Sequence, residues 1–218
     1  MNREWSELNK QMQLLLRKRD TFDSGVSKLL ELRERLMCVI SGYKHSLTKD
    51  DFCAIPFMNA KGYHSKTIAY SLWHIFRIED IVAHTLIKGD EQIFFSENYQ
   101  DRIGSPIITT GNELVKTQIS DLSKQLDINE LYSYISDVSQ STESMLGELS
   151  FDMLKMKVSD ERKERLLSLN VVSTDENAFW LIDYWCSKDI RGLIQMPFSR
   201  HWIMHIEACE RIRNKLCK

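Results

Sequence analysis

The stretch that decides the fold is Phe198–Leu216, which reads FSRHWIMHIEACERIRNKL. Residues of one helical face recur here at spacings of four, three, four, three and four, at Phe198, Trp202, His205, Cys209, Ile212 and Leu216. Such spacing is typical of the inward face of a helix in a bundle. One of these positions is a histidine, and His201 lies one turn earlier on the same face. Buried imidazole nitrogens need polar partners, and a metal ion could supply one for both rings.

The rest of the chain favours an all-α protein. Glycine and proline are scarce (8 and 3 of 218 residues), and long stretches are rich in Leu, Lys, Glu, Arg and Ile. The predicted order is a helical extension in residues 1–20, long helices near 24–43, 65–88, 127–149 and 197–216, and shorter helices within 150–190. The irregular residues 90–126 suit a long crossover between parallel neighbours. No linker divides the chain, so we expect a single domain, 1–218.

Composition excludes several classes of function. The 29 basic and 31 acidic residues are balanced and form no basic run, so there is no electrostatic case for nucleic-acid binding. Apolar runs are too short to span a membrane, and the N-terminus lacks the apolar core of a signal peptide. The five cysteines are widely spaced and odd in count, which predicts reduced thiols in a cytoplasmic protein, at Cys38, Cys53, Cys186, Cys209 and Cys217.

A third histidine supports the metal hypothesis. His74 lies on the shoulder of the apolar face of the second long helix. Two imidazoles from one helix and one from a facing helix would leave open positions on an ion. The alternative is that His201 and His205 are hydrogen-bonded core histidines. No HExxH motif is present, so the general base of a metalloprotease is missing.

Two further residues have competing interpretations. Glu79 lies within the apolar arc of the second long helix and could orient a ligand or act as a base, but a buried ion pair with an arginine is an equal alternative. Cys209 is one turn beyond His205 and could reach a metal, although a small thiol packed in the core is the simpler interpretation.

Other residues receive structural interpretations. The narrow polar strip of the second long helix holds Lys66, Arg77, Asp80, His84 and Lys88. We expect surface or loop positions for His45, His64 and His84, and core positions for Trp73, Trp180, Trp185 and Trp202. No Gly-rich phosphate loop and no GxSxG motif occurs.

Several short motifs, taken in order, resemble the DinB/YfiT-like superfamily of metal-binding four-helix bundles. They are Ser46–Pro56 (SLTKDDFCAIP), Ser65–Ile75 (SKTIAYSLWHI), Thr110–Glu113 (TGNE), Asp127–Tyr134 (DINELYSY) and Pro197–Ile206 (PFSRHWIMHI). The resemblance implies a bundle with a long crossover between helices 2 and 3. It also implies metal ligation by His74, His201 and His205. The N-terminal helix and the shorter helices of 150–190 depart from the family pattern.

The resemblance implies a function as well. Family members with an assigned activity are thiol-dependent transferases or isomerases, and others are described as metal-dependent hydrolases. We therefore expect a divalent ion, zinc or nickel with iron as a further candidate, and a metal-dependent transferase or hydrolase. Its expected partners are a small-molecule substrate and a low-molecular-weight thiol, without nucleic acid or membrane, and a homodimer is a candidate assembly. The alternative is a non-catalytic metal-binding or stress-associated bundle protein.

Overall fold

The structure is a computed structural model that describes residues 2–217. About three quarters of the chain (74%) is helical, and the described residues contain no strand. One isolated bridge, between Lys157 and Asp189, is the nearest approach to β-structure. The prediction of an all-α protein is confirmed.

Twelve α-helices occur in the described residues, and four of them, α2, α4, α8 and α12, form the framework of the site. In chain order the helices are α1 (Arg3–Leu15), α2 (Phe22–Ser46), α3 (Lys49–Cys53), α4 (Ile68–Asp80), α5 (Ile93–Ser96), α6 (Tyr99–Ile103), α7 (Thr117–Gln125), α8 (Ile128–Glu148), α9 (Asp160–Ser168), α10 (Glu176–Cys186), α11 (Ile190–Gln195) and α12 (His201–Leu216). A π-helical segment, Ile81–Lys88, continues α4, and a π-helical turn, Met196–Arg200, leads into α12.

The four framework helices contact one another in a ring. Helix α4 contacts α8 and α12, and α2 contacts the same two helices from the other side. Helix α1 packs along α2, where Trp5, Leu8 and Met12 are buried. The short helices α5 to α7 lie between α4 and α8 in the chain. Helix α5 contacts both of them, α6 contacts α8, and α7 contacts α4.

Helix starts follow the expected capping chemistry, with one correction. Asp127 and Ser159 accept hydrogen bonds from backbone N–H groups in the first turns of α8 and α9. The helix predicted to begin near residue 65 begins at Ile68 and is capped by Thr67, whose hydroxyl accepts from Tyr70 N. Ser65 instead ends a short 3₁₀ turn, Gly62–Ser65. The long helix ends as predicted at Gly89, which has the left-handed conformation (φ +79°) that glycine favours.

The predicted polar strip of α4 is wrong as a solvent-facing surface, because Arg77, Asp80 and His84 are buried. The crossover segment covers this side of the helix and supplies the polar partners. Asp80 accepts hydrogen bonds from Ile93 N, Phe94 N and the hydroxyl of Tyr134. An Nη of Arg77 lies 3.5 Å from a carboxylate oxygen of Asp80. Every residue of α4 is consequently buried, which places this helix at the centre of the molecule.

Candidate metal centre

The three predicted ligands lie together in the core. His74 comes from α4, and His201 and His205 come from the first two turns of α12. Their side chains are 4%, 6% and 2% exposed, and one potential ligand atom from each lies within 4.8 Å of the others. Two nitrogens on one tetrahedral zinc ion would lie about 3.3 Å apart, given Zn–N distances of about 2 Å. The cluster is therefore close enough to bind a metal ion after a small adjustment.

The crossover segment orients His74. Its Nδ1 lies 2.6 Å from the carbonyl oxygen of Thr110. A carbonyl can only accept, so Nδ1–H donates and Nε2 keeps its lone pair. Metal-binding histidines commonly use the second nitrogen in this way, because the hydrogen bond fixes both tautomer and ring orientation.

Two neighbours of His74 on the same face of α4 hold that carbonyl in position. The hydroxyl of Tyr70 donates to Gly111 O at 2.9 Å, and Arg77 donates to Ile108 O through Nε (3.1 Å) and an Nη (2.9 Å). Residues at spacings of four and three along the helix thus bind one continuous backbone segment, 108–111. The segment cannot shift without breaking several buried hydrogen bonds.

The other two histidines have polar atoms without partners. Nδ1 of His201 and both ring nitrogens of His205 are buried and form no hydrogen bond within residues 2–217. Buried polar groups are nearly always paired, and one metal ion could accept the lone pair of one nitrogen on each ring beside that of His74. The chemistry of this donor set fits a divalent ion that accepts neutral imidazoles.

Burial keeps the three rings neutral at neutral pH. Desolvation lowers the pKa of His74 to about 4, with the hydrogen bond to Thr110 acting in the opposite direction. Desolvation also lowers the pKa values of His201 and His205 well below the usual range, and the neighbouring imidazoles add to this effect. Neutral imidazole is the form that binds metal, so no proton would have to be displaced.

Aromatic residues surround the cluster. The ring of Tyr70 stacks on His74 with centroids 5.4 Å apart, and Tyr63 meets the ring of His205 edge-on at 4.6 Å. A cavity of about 220 Å³ adjoins His74 and His201. The cluster is therefore enclosed by the core on one side and borders open space on the other.

Glu79 makes the ion pair that the sequence left as one alternative. Its carboxylate binds both terminal nitrogens of Arg33 (2.8 and 2.9 Å) and accepts from the indole of Trp202 at 2.8 Å. Arg33 and Glu79 are both fully buried. No hydrogen bond of Glu79 within the described residues reaches a histidine of the cluster, and the atom that orients a ligand is the backbone carbonyl of Thr110.

Cys209 packs in the core as a small thiol. It is fully buried, and burial raises its pKa to about 12. It does not belong to the group of close potential ligands formed by the three histidines. Such a thiol stays protonated at neutral pH and is inert as a nucleophile.

Two expectations from the sequence are wrong, that His84 lies at the surface and that Trp180 lies in the core. His84 is 4% exposed, because its Nδ1 contacts Asp90 (2.7 Å) and its Nε2 contacts the hydroxyl of Ser141 (3.0 Å). Trp180, expected in the core, is 51% exposed and borders the cavity, whereas Trp73, Trp185 and Trp202 are buried as predicted.

The contacts of His84 have the order of a serine–histidine–aspartate triad, but their setting is structural. Ser141 lies in the middle of α8, where the backbone N–H groups are committed to the helix. An acyl-transfer site needs free donors for the developing oxyanion. We therefore interpret Ser141, His84 and Asp90 as a link between α8 and the end of the α4 segment.

Sequence reasoning missed the residues that complete the site. Thr110, Asn112 and Tyr63 lie in connecting segments, where no helical period indicates which way a side chain points. The turn signal Thr110-Gly-Asn was visible, and Gly111 has a φ of +73°, but the use of a backbone carbonyl leaves no mark in the sequence. Only the packing of the crossover on α4 reveals it.

The chain matches none of the models of known protein families and none of the curated proteins. Membership of a DinB-like family stays a prediction made from the sequence motifs. No helix within residues 2–217 is both long enough and apolar enough to cross a membrane.

Proposed function

We propose that His74, His201 and His205 hold a divalent metal ion, zinc or nickel with iron as a further candidate. The observation that carries this proposal is the set of unpartnered, buried nitrogens on His201 and His205 beside an imidazole already oriented by Thr110. Core histidines that served only packing would have their nitrogens hydrogen-bonded. Three protein ligands would leave a position for a small molecule from the cavity.

We further propose that the site is catalytic and acts as a transferase or hydrolase on a small molecule. A divalent ion supplies Lewis acidity, which lowers the pKa of a thiol or water bound to it. The protein would contribute neutral ligands, a fixed His74 and an enclosed site that limits access of bulk water. The cavity lining contains no Asp, Glu or Lys that could act as a general base for hydrolysis, which favours transfer from a low-molecular-weight thiol.

The fold that fits this function is a DinB-like four-helix bundle, and we propose it for this chain. The ring of contacts among α2, α4, α8 and α12 supports a bundle, and the 90–126 segment between α4 and α8 fits the long crossover. A cytoplasmic location, a small-molecule partner without nucleic acid or membrane, and a homodimer as candidate assembly belong to the same proposal. The alternative is a protein that binds the metal without turnover.

Metal analysis of protein purified without a histidine tag tests the centre. We expect about one ion per chain, and we expect His74→Ala, His201→Ala and His205→Ala each to lose it. A matched control is His84→Gln, which alters a buried histidine with partners of its own and should retain the metal. Metal at 100 times its Kd should also stabilise the wild type by about 3 kcal/mol.

Full metal retention by the alanine variants would overturn the site. A separate assay of metal-loaded protein with a panel of thiols and electrophiles tests catalysis. Turnover that disappears in His205→Ala supports the transferase, while bound metal without turnover favours the non-catalytic alternative.

A further inference from the structure

The cavity beside the histidines has an unusual lining for its size. Its volume is about 220 Å³, below the 300–1,000 Å³ or so of most small-molecule pockets. Four aromatic side chains line it, from Tyr63, Trp180, Tyr184 and Trp185, together with aliphatic residues and a proline. The first of these precedes α4 and the other three come from α10.

We propose that this cavity binds a neutral molecule built on a single ring, with one hydrogen-bond donor. The inference names the substrate class of the proposed metal-dependent enzyme and rests on that function for its catalytic meaning. The recognition itself depends on aromatic walls, on the unpartnered oxygen of Asn112 and on a lining without Lys, Arg, Asp or Glu.

Size sets the first limit on the ligand. A cavity of about 220 Å³ lies below the usual range for small-molecule pockets, so it suits a small ligand. A six-membered ring with a short substituent fills that space. A thiol of peptide size would have to leave most of its structure outside.

Charge sets the second limit. No lysine, arginine, aspartate or glutamate lines the cavity. In the metal-free protein, a charged group moved into such a space would lose its hydration without gaining a charged partner. Aromatic walls instead favour a flat apolar body, which can stack or meet the rings edge-on.

Asn112 supplies the polar atom. It lines the cavity, and its Oδ1 is buried without a hydrogen-bond partner within the described residues. This oxygen can only accept, so the ligand that satisfies it presents an O–H or N–H. A ring with a hydroxyl or amino hydrogen would satisfy both the walls and this atom.

Trp180 marks the open side of the cavity. Its indole is 51% exposed, donates to Asn177 O at 2.9 Å and meets the ring of Tyr184 at 5.5 Å. The ring is therefore held in place while one part of it faces solvent. A rigid exposed tryptophan offers contact area at low cost in conformational entropy.

The test uses benzyl alcohol as the probe, followed by tryptophan fluorescence and by calorimetry, on tag-free protein from which metal has been removed with a chelator. We expect saturable binding with a Kd at least 10-fold lower than those of benzoate and benzylammonium, which have similar size and opposite charges. Trp180→Ala should raise the Kd at least 5-fold. The matched control is Phe179→Ala, because Phe179 is also exposed (45%) but does not line the cavity.

A second variant tests the polar atom. Asn112→Leu should abolish the preference for benzyl alcohol over toluene while binding of the ring persists. Equal affinities for the three ring probes, equal effects of the two α10 variants, or no saturable binding would each overturn the proposal. Because benzyl alcohol needs no metal to enter the cavity, failure of metal binding and failure of ring binding are read separately.

Discussion

Helices α4 and α12 share two buried polar clusters, which differ in whether their atoms have partners. In the ion-pair cluster, Glu79 binds Arg33 and Trp202, and the Arg33 guanidinium lies over the Trp202 ring at 4.3 Å. In the histidine cluster, only the ring of His74 forms a hydrogen bond with another residue of the described chain. Burial is nearly complete in both.

The difference separates a structural role from a binding role. A buried charge pair is tolerable when hydrogen bonds satisfy its charged atoms. In the ion-pair cluster, both carboxylate oxygens of Glu79 and both terminal nitrogens of Arg33 have hydrogen-bond partners, and only Nε of Arg33 has none within the described residues. The histidine cluster is incomplete within the protein, and its unpaired nitrogens cost stability until a ligand binds. The burial of polar residues alone does not distinguish the two clusters. The hydrogen-bond partners of their individual atoms do.

The largest predicted effect is the loss of folding stability that acidification causes through the histidine cluster. Because folding lowers the pKa of all three imidazoles, the unfolded chain binds more protons below its own pKa of about 6.5. Stability is therefore retained above about pH 7 and lost as the pH falls toward 4. From pH 7 to pH 5 His74 alone should cost about 2 kcal/mol, and His201 and His205 add to the loss in the same direction. Urea unfolding of metal-free protein at both pH values measures the loss.

The control for the pH effect is His205→Leu, an apolar replacement of similar size. It should reduce the loss between pH 7 and pH 5, because one group whose pKa folding lowers is removed. An unchanged pH dependence in this variant would mean that His205 does not titrate as a buried neutral group.

Breaking the ion-pair cluster should cost more than altering the histidine cluster at constant pH. Arg33→Met leaves the carboxylate of Glu79 buried without its charge partner, and we expect a loss of about 3–5 kcal/mol in the free energy of unfolding at pH 7. His205→Leu removes nitrogens that had no partner, so metal-free protein should change by about 1 kcal/mol or less, or become more stable. Urea unfolding compares the two variants directly.

The comparison fails if the two variants lose similar stability. The combined replacement Arg33→Met with Glu79→Leu provides the matched control, because it removes both charges and should recover most of the loss. Recovery would show that the cost comes from the stranded carboxylate and not from lost packing.

The two clusters also show how far the sequence alone predicts this molecule. Helical periodicity predicts the long helices, and it brings His201 and His205 to one buried face, because both depend on local spacing. A histidine among apolar residues on α4 gives the third ligand. The partner of Glu79 could be named only as an arginine, since Arg33 is 46 positions away and packing alone selects it.

Errors in the prediction came from long-range contacts of the same kind. Arg77 and Asp80 looked like a solvent-facing strip because the crossover that buries them is irregular in sequence. Trp180 looked like a core residue because large aromatic residues are usually buried, yet its position on α10 leaves it at the cavity mouth. In both cases tertiary packing, and not the local sequence pattern, determines whether the side chain is buried.

The smallest predicted effect concerns His74, the one proposed metal ligand that already forms a hydrogen bond within the protein. Tyr70→Phe removes the hydroxyl that donates to Gly111 O, next to the Thr110 carbonyl that orients His74. We expect a loss of about 1 kcal/mol in stability from the unpaired carbonyl. Metal affinity should fall by no more than about 10-fold, the lower end of the effect of changing an outer partner of a metal ligand. Urea unfolding and competition for zinc against a chelator measure the two effects.

Tyr63→Phe is the control for this variant, because Tyr63 also touches the cluster but its hydroxyl makes no hydrogen bond within the described residues. If the two tyrosine variants reduce metal affinity equally, ring contact and not the position of the Thr110 carbonyl controls the site. If only Tyr70→Phe weakens the metal, the hydrogen bonds of the crossover make His74 a fixed ligand. In that case His74 would be ordered before the metal arrives, and the unpaired nitrogens of His201 and His205 would account for the stability that the metal adds.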